Sequence, residues 1–159
     1  MRRVLLAALA LAAGGVLAAP VRLDDSASPR ARIDVSPRWL GEHESAGDRD
    51  WLHAMVAEAS NVEVRLDTRA YVGRRGKIYL AVPAQVPGLM SPTALRVSWL
   101  SRGGFASGEA IPGSRTLVYD GAISAPVTVV RLDFRFELDA RFVGPGLRVD
   151  PYFEIEPEP

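Results

Sequence analysis

From Asn61 onward, apolar and polar positions alternate in short runs. In "NVEVRLDTRAYV", Val62, Val64 and Leu66 alternate with Glu63, Arg65 and Asp67; "KIYLAV" sets Ile78, Leu80 and Val82 in one register, and "ALRVSWL" does the same with Leu95, Val97 and Trp99. "TLVYDG", the long run "VVRLDFRFELDAR" and "PYFEIE" complete the series. A two-residue period puts successive side chains on opposite faces of a strand, so each run offers one face to a core and one to solvent. In the long run the core register is Val130, Leu132, Phe134, Phe136 and Leu138. The register of Arg131, Asp133, Arg135, Glu137 and Asp139 is expected to form a solvated face.

The joints between runs carry glycine: "GRRG" at 73–76, "RGG" at 102–104, "PG" at 112–113, "DG" at 120–121 and "GPG" at 144–146. Glycine there supplies the positive φ of tight reversals. Six or seven short strands joined in this way predict an all-β fold, a single β-sandwich of immunoglobulin-like architecture, with a barrel as the alternative. Val127 and Val129 are apolar in the register that later becomes charged. This predicts a β-bulge near Val129 and Val130, or else a first part of the strand covered on both faces, as by the helix.

Upstream the period changes. In "DRDWLHAMVAEAS", Trp51, Leu52, Met55, Val56 and Ala59 recur at helical spacing, with Asp48 placed as N-cap and Asp50 in the first turn. The spacing predicts one short amphipathic helix over 48–59. "ARIDV", just before Pro37, reads as a short edge strand.

The first eighteen residues have another logic. Arg2 and Arg3 precede an apolar run from Val4 to about Ala13, and Val16 and Ala18 satisfy the small-residue rule for cleavage after Ala18. The run falls short of the roughly 20 residues a spanning helix needs. The expected organisation is a signal peptide at 1–18, a flexible leader at 19–30, the sandwich domain at 31–156 and an acidic tail at 157–159, with no stable membrane anchor after cleavage. A periplasmic or secreted address follows.

Composition removes several chemistries. The chain has no cysteine, so disulfides, a thiol nucleophile, thiolate zinc and a cysteine-linked lipid are excluded. Its 19 basic and 19 acidic residues balance, which gives nucleic-acid binding no electrostatic footing. Lys77 is the only lysine, a skew that a GC-rich bacterial genome produces without any functional demand. No internal repeat or coiled-coil pattern organises the chain.

Candidate chemistry is sparse. The two histidines, His43 and His53, sit with Asp50 in an acidic segment and could ligate a metal, but their spacing matches no HExxH or related motif. No serine lies in a G-x-S-x-G elbow, and no D-x-[DN]-x-[DN]-G loop suggests calcium. Arg74 and Arg75, on the "GRRG" turn, are the candidate binding residues, two guanidinium groups suited to an acidic partner or an anionic lipid head group. Trp99 shares its register with Leu95 and Val97 and is expected in the core. The chain therefore reads as an exported, non-catalytic β-sandwich, needing no cofactor, that binds another macromolecule, the expected partner being a protein. It would act through an exposed edge strand as an assembly or secretion accessory, or through loops at one end as an inhibitor or adhesion module. The alternative is a small-ligand, carbohydrate or metal-dependent binding protein or hydrolase using the 42–53 segment.

Overall fold

The computed structural model describes residues 19–29, 38–39 and 53–158. The expected signal peptide, the expected "ARIDV" strand, the first half of the expected helix, His43, Asp50 and Pro159 lie outside the described residues.

Two antiparallel sheets face each other. The four-stranded sheet has the order β1 (Val21–Arg22), β9 (Tyr152–Pro157), β4 (Arg75–Ala81), β7 (Arg115–Ala122). The five-stranded sheet runs β2 (Arg38–Trp39), β3 (Ala54–Asp67), β8 (Val127–Asp139), β5 (Leu95–Ser101), β6 (Gly108–Ala110). This is the expected sandwich, not a closed barrel. The likeness to an immunoglobulin domain is at the level of two packed antiparallel sheets. The core lies between them, built by the inward register of each strand: Ile78 and Leu80 of β4, Leu95, Val97 and Trp99 of β5, Val130, Leu132 and Phe134 of β8, Phe153 and Ile155 of β9. Trp99 is buried, and its indole N–H donates to the Ala106 carbonyl at 3.0 Å, so the ring's one polar atom is satisfied.

Residues 54–59 are not helical. They open β3 and pair with β8, Met55 opposite Leu138, Ala57 opposite Phe136 and Ala59 opposite Phe134. The alanines and methionine of this segment favour a helix by tenths of a kcal/mol per residue, too little to outweigh a full hydrogen-bonded ladder. Small residues facing large ones also let the pair interlock. The same six residues fit a two-residue period as well as a helical one, and the partner strand decides between them.

The bulge also lies elsewhere than expected. Register shifts between Ala59 and Val62 in β3, so Ser60 and Asn61 together stand opposite Asp133. Asn61 takes φ of 57°, the left-handed region that Asn tolerates, and its N–H donates to Asp133 Oδ1 at 2.6 Å. β8 runs through this region in constant register. Val129 therefore stays on the outer face, 55% exposed.

Three further expectations need correction. The outer face of β8 is solvated only over its first part, since Glu137 is buried and Asp139 is 2% exposed. Each is neutralised locally, Glu137 by Arg135 at 3.0 Å and Asp139 by Arg141 at 2.6 Å. The leader is not free chain over 21–28: β1 pairs with β9, and Leu23 enters the core. Nor is the tail detached, because Pro157 closes β9 and the Glu158 N–H donates to the Arg75 carbonyl at 3.0 Å.

Several carboxylates are held below their ordinary range by donors that favour the ionised form. Arg141 does this for Asp139, the Asn61 N–H with Arg102 for Asp133, Arg65 with Arg131 for Glu63, and Arg115 with Tyr79 for Glu156. A depressed folded-state pKa gives stability that is present above the unfolded value and lost as pH falls through the folded one. Denaturant midpoints should therefore hold steady from neutrality to roughly pH 5 and fall steeply below about pH 4. A midpoint unchanged at pH 3 would show that these pairs do not couple to folding.

Candidate functional site: the loop end of the sandwich

Those of the residues singled out from sequence that are described, Arg74, Arg75 and His53, do not converge. Arg75 opens β4, and its guanidinium is already shared between Asp120 at 3.3 Å and Glu158 at 3.2 Å. Arg74 is exposed on the preceding turn, with one terminal nitrogen 3.3 Å from the Glu158 carbonyl. That turn crosses from the five-stranded to the four-stranded sheet, so the pair sits on a crossover and not on a hairpin. His53 is exposed at the start of β3, at the other end of the molecule; its carbonyl accepts the Ala140 N–H at 3.0 Å. Among the described residues no group of three or more His, Asp or Glu is placed to hold a metal ion. None of their helices is long and apolar enough to cross a membrane.

The end that carries His53 holds a more definite surface. The β4–β5 connection (82–94) and the β8–β9 connection (140–151) meet there in a short ladder. Leu89 bridges Val143, the Met90 N–H donates to the Phe142 carbonyl at 2.9 Å, the Gly144 N–H to Gly88 at 2.7 Å and the Arg148 N–H to Pro87 at 3.0 Å. Alternation decides what this ladder shows. Leu89 and Val143 turn inward and pack on the core. Met90 and Phe142, one position along on each side, turn outward, 66% and 39% exposed.

Arg141 completes the surface. Its guanidinium lies 5.6 Å from the Phe142 ring centroid. Below, it forks onto buried Asp139, Nε to Oδ1 at 3.0 Å and Nη2 to Oδ2 at 2.6 Å, while the Arg141 N–H donates to Oδ1 at 3.1 Å. Three donors on one carboxylate fix both residues. Asp139 holds the Arg141 guanidinium above its already high ordinary pKa, so the cation is permanent. Trp39 of β2, opposite Met55 near the start of β3, is exposed at the same end.

A concavity of about 170 Å³ is lined by Phe105, Tyr119, Ile123, Thr128 and Val129 among others. It is smaller than the roughly 300–1,000 Å³ of pockets that enclose small ligands.

No protein-family model, curated protein or solved structure matches this chain. Sequence reasoning missed Met90, Phe142 and Arg141. The one signal available was large apolar residues beside proline and glycine in "PGLM" and "RFVGPG", where solvated loops carry polar residues.

Proposed function

We propose that this chain is an exported, non-catalytic β-sandwich that binds another protein and docks through the loop end just described. The observation that carries the reading is the outward pair of Met90 and Phe142 on a ladder whose inward pair anchors it to the core. Aromatic residues, methionine and arginine are the types enriched where proteins meet, and here they are presented on a rigid support. Rigidity matters because loops already ordered lose little entropy on binding. Export is supported by the charged, apolar and small-residue layout of the first eighteen residues. Arg74 and Arg75 stand at the far end of β4 and take no part in this contact.

The test compares the parent with Met90→Asp and Phe142→Ser in co-purification from native extracts, with denaturant midpoints alongside. Both side chains are exposed, so midpoints should move by less than about 0.5 kcal/mol. The partner retained by the parent should be lost from both variants. A partner held equally by parent and variants would place the contact elsewhere.

A further inference from the structure

Residues 21–28 cross the edge of the sandwich from one sheet to the other. On the four-stranded side, Val21 and Arg22 pair with Ile155 and Glu154, and the Leu23 N–H donates to the Phe153 carbonyl at 2.8 Å. On the five-stranded side, the Asp67 N–H donates to the Asp24 carbonyl at 2.8 Å, and the Ser28 hydroxyl accepts the Arg65 N–H at 2.9 Å. The strap thus serves edge groups of β9 and of β3 beyond the reach of β2.

We propose that this strap is exchangeable, and that its seat takes residues 21–28 of a second copy of the chain. The holding contacts are few. Leu23 is its one buried side chain, a two-residue ladder fixes one half and single hydrogen bonds fix the other. Above it, the Arg22 guanidinium lies 4.6 Å from the Tyr152 ring centroid. A strap from another copy would make the same contacts, and exchange of an identical element is a low-cost route to association.

The strap's chemistry is also that of the permanent strands. Val-Arg-Leu-Asp stands at 21–24, again at 64–67 in β3 and again at 130–133 in β8. In all three the leucine is buried and the arginine exposed. The seat therefore takes an extended segment with an aliphatic residue for the site of Leu23 and an arginine to lie over Tyr152 and face Glu154.

The absence of cysteine makes a trapping experiment clean. Full chains carrying Arg22→Cys are mixed with size-tagged chains carrying Glu154→Cys, positions that are cross-strand partners, and oxidised mildly. Neither variant can close a link within itself, so a mixed disulfide reports a strap of one copy on the sheet of another. The mixed product should exceed both symmetric dimers and grow with concentration toward the roughly millimolar range typical of tethered segments. Adding Leu23→Asp to the Arg22→Cys chain should cut its yield about tenfold or more, and the milder Leu23→Ala, checked for a folded spectrum, should give an intermediate yield. Symmetric dimers as abundant as the mixed one, or a mixed product indifferent to Leu23, would overturn the proposal.

Discussion

Gly88→Ala should be the most damaging single-methyl change in the loop end, with a loss of about 4 kcal/mol or more. Gly88 takes φ of 76°, and a Cβ built there would lie 2.4 Å from the Leu147 amide nitrogen and 2.6 Å from its Cα. Both are backbone atoms, so no rotamer change relieves the clash. The two connections would have to part, at the expense of the bonds from Gly144 to Gly88, Arg148 to Pro87 and Met90 to Phe142. Each is worth about 0.5–1.5 kcal/mol net. Gly146 isolates this effect. It has the same φ of 76°, yet nothing lies within 4 Å of its Cβ position, so Gly146→Ala should lose only the roughly 1–2 kcal/mol of left-handed strain. Denaturant midpoints of the two variants decide the matter. Equal losses would mean that close approach of the connections contributes nothing. Under the proposed function, Gly88→Ala should also release the partner even where the protein stays folded, because Met90 and Phe142 would no longer be held side by side.

The strands that sequence predicted well are those whose alternation admits one period. β4, β5, β9 and most of β8 carry a large apolar residue at every second position of one register, and their buried registers follow. The start of β3 was not legible because Ala54 to Ala59 satisfies two periods at once, and the deciding partner, Phe134 to Asp139, is remote in sequence. The bulge was not legible in β8: Val127 and Val129 are outward apolar residues on a strand of constant register, and the extra residue lies in β3, at Ser60 and Asn61. Glu137 and Asp139 looked solvated because charge was read as exposure, whereas Arg135 and Arg141 make their burial tolerable. The candidate site escaped for a different reason. Met90 and Phe142 sit in two connections without periodicity, brought together by a ladder that depends on Gly88 fitting against Leu147.

Phe134→Ala should shift the denaturant midpoint far more than any change in the charged register beside it. The Phe134 ring is buried, stacks on Phe136 at 5.9 Å between centroids and lies between Ala59 of β3 and Trp99 of β5. Removing it leaves a cavity that β8, paired on both edges, cannot collapse to fill, at a loss of about 3–5 kcal/mol. That is a large share of the roughly 5–15 kcal/mol holding a domain folded. Arg135→Ser removes an exposed contact to Glu58 at 2.9 Å, worth about 1 kcal/mol or less, together with one of the cations beside buried Glu137, at 3.0 Å. Arg96, directly across the ladder from Glu137, remains to offset that charge. Asp133→Ser should fall between the two. Its carboxylate accepts the Asn61 N–H at the bulge as well as Arg102 at 2.7 Å, so the substitution loosens a backbone irregularity and not merely a surface pair. The expected order of loss is Phe134→Ala, then Asp133→Ser, then Arg135→Ser. If Asp133→Ser proves as mild as Arg135→Ser, the bulge holds its shape without the aspartate. If Phe134→Ala is the mildest of the three, the faces of β8 are reversed.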